Sequence, residues 1–344
     1  MKSNLNFMKK HYFIILLVIA SFGCNLDTSI PISDATGNID EVIIIMEKFD
    51  WQGALGDTVR HYFTQAYDVL PQFEPLFDVR YLEPNGFTSL LTAARNVVIF
   101  DVLNNDSSTK LNHSLFGEEL KSGKNTLIKK DMYAGGQQIL TVFANNLSDL
   151  LSFINDKNTQ LTKLVADNEN KKLRNTLYLG GEDKQLTKHL KSKLNIDLKV
   201  PKGYQMAKED DNMMWFRYDS DKYTANFVLQ TFDEVQTADE FGVLKRNSFG
   251  KAYVEGTSDG SFMTTEDLVG YFQTAKTINN IEALESRGLW KLTNDFLGGP
   301  FVNYKIEDKT NNRTIVMDAF IMAPAGKKRQ VMRQLEYWMN TISL

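Results

Sequence analysis

The sequence predicts an α+β protein built from two packed lobes of mostly antiparallel sheet with flanking helices. Three observations predict it. The chain has 344 residues, 42% hydrophobic and 24% charged, an ordinary globular balance with room for about two domains and a sizeable core. Short β-branched runs alternate with stretches of helical period, and polar turns join strand pairs in the second half. The two halves also share a weak order of helix, Pro-bounded strand, loop and apolar strand. Ala94-Arg95-Asn96-Val97-Val98-Ile99-Phe100 compares with Thr224-Ala225-Asn226-Phe227-Val228-Leu229, which leaves open an internal duplication.

Residues 1–23 read as a signal peptide. Lys9 and Lys10 form its basic end, Phe13 to Ala20 its apolar run, and Ser21-Phe22-Gly23 leads to Cys24. The run is too short to span a bilayer. Gly23 supplies the small residue before the cut, and Cys24 is the thiol that would receive lipid. The segment resembles a lipobox, with Ser21 where an aliphatic residue is usual and Phe22 where a small one is usual. Cys24 is the only cysteine, so the chain forms no internal disulfide and builds no zinc or iron–sulfur centre from thiolates. Acyl chains contribute roughly 0.8 kcal/mol per buried methylene, and several together anchor stably. Residues 24–40, rich in Ser, Thr, Asp and Pro, read as the lipidated tether.

The first lobe is expected over 41–178. EVIIIMEK (41–48) predicts a buried strand. Gly56-Asp57 predicts a helix start, with Val59, Tyr62, Phe63, Ala66, Tyr67 and Leu70 at helical spacing. Residues 77–82, 96–103 and 138–144 read as strands, and 147–178 as one long helix or a broken pair. The second lobe is expected over 179–344. A helix (184–194) precedes a hairpin pairing 213–218 with 224–232, then a helix near 237–248. Ala252 to Glu255 and Leu289 to Thr293 read as strands. A second hairpin pairs 301–306 with 314–322, and a last helix carries Val331, Leu335, Trp338, Met339 and Ile342 on one stripe.

Residues 1–23 hold three lysines and no acid, so their removal takes the net charge from −4 to −7. That balance gives no electrostatic footprint for nucleic acid. Gly256-Thr257-Ser258-Asp259-Gly260 fits a nucleophile elbow, but that hydrolase order needs a later histidine, and His11, His61, His113 and His189 all precede it. The pentapeptide reads instead as a Gly-rich turn. The histidines show no metal spacing, and Gly135-Gly136, Gly180-Gly181 and Gly298-Gly299 read as turns rather than phosphate loops, so no metal or cofactor is expected. Glu74, Glu282 and Glu285 are the acids that a carboxylate-dependent glycosidase would draw on first, each also readable as a salt-bridge partner. Lys327, Lys328 and Arg329 open the last helix with Arg333 one turn on. Cations there oppose the helix dipole, so they need partners. They read either as pairs to internal acids or as a site for an anionic ligand or acidic protein surface.

Several segments together resemble a family of uncharacterised Bacteroidota lipoproteins, known as a domain of unknown function. They are Trp51-Gln52-Gly53 with Gly56-Asp57, Leu70 to Phe77, Arg95-Asn96, Glu285 to Trp290, Gly298-Gly299-Pro300-Phe301, and Lys327 to Glu336, with the block Arg287 to Phe301 the most specific. The resemblance covers nearly the whole mature chain and implies an envelope lipoprotein with no catalytic residues to carry over. Surface-exported lipoproteins of that group tend to have acids just after the cysteine. Asn25-Leu26-Asp27-Thr28-Ser29 has no such cluster, which favours an outer-membrane lipoprotein facing the periplasm. Residues 198–232, the last hairpin and the final helix are also loosely similar to the small α/β sandwich of photosystem assembly (PsbP) and Mog-one-like proteins, at fold level only. The sequence therefore favours a non-enzymatic envelope lipoprotein, held to the membrane through Cys24 and binding an envelope protein. A carboxylate-dependent carbohydrate hydrolase or a small-ligand carrier are the alternatives.

Overall fold

The run Val42-Ile43-Ile44-Ile45 has no polar position because strand β1 (Glu41–Ile45) is covered on both faces. Beyond β1 come helices α1 (Lys48–Gln52) and α2 (Ala54–Phe63), then β2 (Asp78–Leu82), β3 (Asn96–Val102), α3 (Ser107–Phe116), β4 (Thr126–Lys130), β5 (Gln138–Ala144) and α4 (Leu147–Asn168). Val42 and Ile44 pack with Val59 and Phe63 of α2 and with Leu150, Ile154 and Leu161 of α4. Ile43 and Ile45 pack on the other side with Leu115 and Phe116 of α3. The structure, a computed structural model, describes residues 32–88, 91–104, 106–324 and 326–344. The signal segment and Cys24 lie outside them, and residues 34–344 form one compact unit.

The five strands lie in the order β2-β1-β3-β5-β4. β2, β1, β3 and β5 run parallel, and only β4 is antiparallel to its neighbour. The α+β class holds and antiparallel ladders predominate over the chain, but this sheet is mostly parallel. Parallel neighbours need a long connection that returns the chain to the same end of the sheet, and α1 with α2 supplies it between β1 and β2, while α3 and β4 lie between β3 and β5.

The remaining elements are α5 (Asn170–Leu177), α6 (Lys184–Leu194), β6 (Gln205–Asp210), β7 (Met213–Asp219), β8 (Thr224–Asp233), α7 (Phe241–Tyr253), β9 (Met263–Thr265), β10 (Tyr271–Ile278), β11 (Ile281–Leu292), β12 (Gly298–Asp308), β13 (Arg313–Met322) and α8 (Arg329–Met339). They form a curled antiparallel sheet in the order β10-β11-β12-β13-β8-β7-β6, with β9 also on β11. One face grips α8: Trp338 stacks on Phe227 with centroids 4.3 Å apart, and Leu335, Met339 and Ile342 complete the stripe. The opposite face carries α7, with Phe249 against Trp215 and Phe320. Each lobe is thus one sheet with flanking helices, which fits a duplication. The compared segments fall on β3 and β8, one with parallel and the other with antiparallel neighbours.

The Arg287–Phe301 block has a packing reason. Trp290 donates from Nε1 to the Ile321 carbonyl at 3.1 Å, and a Cβ on Gly299 would lie 2.9 Å from that nitrogen and 2.2 Å from the carbonyl oxygen, so only glycine fits beneath the indole.

Local differences from the sequence reading have local causes. The second helix ends at Phe63, not Leu70. Thr64 caps it, Ala66 bridges to Pro75, and Val69 is left-handed, so residues 64–76 form a turned-back loop that carries Tyr67 towards α8. Asp57 lies inside the helix, which is capped at Gly53. Ala252 and Tyr253 belong to α7 rather than to a strand. The long helical stretch breaks at Glu169, whose buried carboxylate turns inward to Arg95 and Asn96.

Candidate functional site

The cationic cluster faces inward. Lys328 and Arg329 are buried, and the Glu74 carboxylate accepts their backbone N–H groups at 2.6 and 3.1 Å, capping the N-terminus of α8. The Arg329 guanidinium pairs with Asp40 at 3.2 Å and Asp78 at 2.6 Å, and donates to the Pro75 carbonyl. Arg333 donates to Asp40 and to the Ala166 carbonyl. Of the four sequence candidates, only Lys327 is exposed. The carboxylates of Asp40, Asp78 and Glu74 offset the unfavourable helix dipole, and the cluster clamps α8 to the N-terminal ends of β1 and β2. It offers the solvent no cationic face built from Arg329 and Arg333.

Of the candidate acids, Glu74 caps α8 and Glu285 is paired, while Glu282 stands exposed on β11. Glu285 accepts from Arg287 Nε at 2.7 Å and from Lys276 Nζ at 2.5 Å, while Arg287 also donates to Glu336 at 2.8 Å. Tyr67 donates to the same Glu336 carboxylate. Burial pushes the Glu285 carboxyl up, but Arg287 and Lys276 overcome it and hold it at about 2. A carboxylate so firmly ionised is a poor proton donor at neutral pH, the opposite of what a glycosidase acid requires. Ser258 lies in an exposed turn in which Ser261 N donates to the Ser258 carbonyl, not at a strand-to-helix elbow. His189 pairs with Glu209 at 2.6 Å, and His61 packs edge-on against Tyr62. Among the described residues, no group of three or more His, Cys, Asp or Glu is placed to hold a metal ion.

Doubly wound sheets place ligands outside the carboxyl ends of their strands, where the strand order reverses. Here that point lies between β1 and β3, and the chain fills it with its own groups. Glu47 accepts the Ser108 N–H at 2.9 Å, at the N-terminus of α3 where an anion would bind. Asp101 accepts from Asn112 at 2.7 Å and Thr109 at 3.1 Å, and burial pushes its carboxyl up to about 6. Trp51 lies between Tyr81 and the Arg60 guanidinium.

Among the described residues, these pairings leave open two surfaces that combine several exposed side chains with a cavity. The first is an edge of the curled sheet. Its β6 edge carries Lys208, Glu209 and Asp210 and is bent by a bulge between Met206 and Lys208, devices that discourage strand pairing. Its β10 edge has neither over its first five residues. Tyr271, Phe272, Gln273, Thr274 and Ala275 are uncharged and exposed, with Phe272 62% exposed. A cavity of about 550 Å³ runs beside the strand, lined by Ala275, Thr277, Glu282 and Lys305. Lys276 is turned onto Glu285 and Tyr304. The sequence reading missed β10 although it has a signal. Aromatic and β-branched residues at 271–278 run into Asn279-Asn280, both with positive φ, and on into Ile281, the pattern of a two-residue hairpin. The second surface surrounds α5, where Lys171 and Arg174 are exposed beside Leu179.

Residues 183–341 match the model of a domain of unknown function (DUF4837), and residues 35–178 match that of a second (DUF8532). The two matches meet between α5 and α6, and together they span most of the chain. No curated protein matches. Among solved structures, the Saccharomyces cerevisiae Ran-binding protein Mog1p is similar at 11% identity over 43% of this chain and 89% of that one, with a TM-score of 0.28. Human STARD10 is similar at 6% identity over 46% and 80%, with a TM-score of 0.23. The lipid transfer and protein localization domain of human StarD13 is similar at 12% identity over 45% and 94%, with a TM-score of 0.18. Likenesses this partial carry nothing towards function.

Proposed function

We propose that the chain is a cell-envelope lipoprotein, anchored through Cys24 to the outer membrane on its periplasmic side, that acts by binding another protein rather than by catalysis. The partner contributes an extended segment that adds to β10 as a further strand. The observation that carries this reading is the asymmetry of the sheet edges: β6 is charged and bulged, whereas β10 is flat in composition, exposed and aromatic. An unpaired strand supplies main-chain donors and acceptors for affinity, and alternate side chains such as Phe272 and Thr274 supply selectivity. The anchor reading is supported by the apolar run ahead of the sole cysteine. Among the described residues, no helix is long and apolar enough to cross a membrane.

The test is in-cell crosslinking of the full chain followed by mass spectrometry of the adducts. The reading expects a reproducible envelope protein whose adduct is lost in Phe272→Lys, a surface change that leaves stability within about 0.5 kcal/mol. An adduct that survives Phe272→Lys unchanged, or a chain that yields none, removes the proposal.

A further inference from the structure

We infer that the surface around α5 rests on an anionic phospholipid membrane, with the chain arriving from Cys24 placing it there; this rests on the anchor reading above. Five cations converge on this surface. Lys171, Lys172 and Arg174 lie on α5, and Lys199 and Lys202 lie on the segment beside it, all but the half-buried Lys172 exposed. Leu179 projects among them at 89% exposure.

Two clefts flank the helix and share Asn175 and Leu179. One, of about 620 Å³, is lined by Arg174, Lys199, Tyr178 and Tyr337. The other, of about 380 Å³, is lined by Lys171 and Lys172. Three acids line the clefts: Asp197, paired with Lys191 at 2.7 Å, Asp34, 3.6 Å from Lys171, and half-buried Glu182, so the five cations outnumber them by two. In a chain of net charge −4, such a local excess of cations gives the body one face that a negatively charged bilayer attracts while it repels the rest. The clefts suit lipid phosphates, Leu179 suits the headgroup–acyl boundary, and Tyr178 and Tyr337 are the amphipathic rings that favour that depth.

The covalent chain points to the same face. Asp34, where the compact unit begins, lines the second cleft, and Ala35 N donates to the Gly135 carbonyl at 2.9 Å. Ten peptide units separate Cys24 from Asp34, so even fully extended they reach only about 35 Å. A lipid on Cys24 therefore keeps Asp34 and the cleft it lines within about 35 Å of the bilayer, and lipid plus a basic patch is the two-signal arrangement that makes membrane attachment stable.

The experiment places a polarity-sensitive dye on Leu179→Cys in the full chain, reconstituted in phosphatidylcholine vesicles with or without phosphatidylglycerol. The mass of the mature chain reports Cys24 lipidation separately. The inference expects a blue shift and protection from an aqueous quencher with phosphatidylglycerol, reversed by salt. Each of Lys171→Glu, Lys172→Glu and Arg174→Glu should weaken the association by roughly fivefold or more. A dye at exposed Leu268 should stay in water throughout. Equal exposure of residue 179 in both vesicle types overturns the inference. If Cys24 proves unmodified, the anchor reading fails, and flotation of the chain with anionic vesicles then decides the patch: salt-sensitive flotation sustains it, and none overturns it.

Discussion

Arg333 of the last helix donates to the carboxylate of Asp40, 293 positions earlier, and so ties the end of the chain to the start of its first strand. Arg329 pairs with the same carboxylate, and all three residues are buried. Removing Arg333 leaves the buried Asp40 carboxylate with Arg329 alone to offset it. Arg333→Ala should lower the unfolding free energy by about 3–5 kcal/mol in urea titration. A loss below about 1 kcal/mol, the value of a surface pair, would contradict a structural role for the clamp.

The cap on α8 comes from a residue far away in sequence. Glu74 accepts both the Lys328 and Arg329 N–H groups, so Glu74→Ala should cost about 1–2 kcal/mol, with Glu74→Gln recovering part through its amide oxygen. Thermal melting of the two variants reads this directly; identical melting points for Ala and Gln would mean that the side-chain acceptor is unimportant.

Burial pushes the Asp101 carboxyl up to about 6 against its bonds from Asn112 and Thr109. In the unfolded chain this carboxyl ionises near 4, so between about 4 and 6 the folded state holds the extra proton. Stability from this group is therefore greatest at low pH and falls by roughly 3 kcal/mol as pH rises through about 6. Asp40, also raised to about 6 by burial against the pull of Arg333 and Arg329, adds to the same slope. In Asp101→Asn the slope from this group should vanish. A stability difference between wild type and Asp101→Asn that stays constant from pH 4 to 7 would refute it.

Glu285 runs the other way. Its carboxyl is held at about 2, below the ordinary glutamate range, so its pairing with Arg287 and Lys276 stabilises the fold at neutral pH and loses that effect as pH falls through about 2. Glu285→Gln should destabilise the protein at pH 7 and flatten its acid response below pH 4, followed by circular dichroism. A variant as acid-sensitive as the wild type would show that other carboxylates dominate.

Much of the fold was legible because each signal was local. The β-branched run at 42–45, the helix at 184–194, both C-terminal hairpins and the stripe on α8 all declare their period within a dozen residues. Strand direction was not legible in the N-terminal lobe. It depends on which strands meet across the sheet, and no short window carries that. The partners of Arg329 and Arg333 were hidden for the same reason: the charges read as a cluster, while Asp40 and Asp78 stand some 250 positions or more away. The β10 strand was missed although Asn279-Asn280 marks its turn, because its exposed aromatic residues follow no buried alternation.

The claim that most needs testing is that β10 is the docking edge. A photo-activated crosslinking amino acid would be placed at Thr274 on β10 and, separately, at Lys208 on β6, in otherwise unaltered full-length chains in cells. The account predicts one reproducible protein adduct from position 274 and none from 208. Adducts from 208 alone, equal adducts from both, or none from either would contradict it.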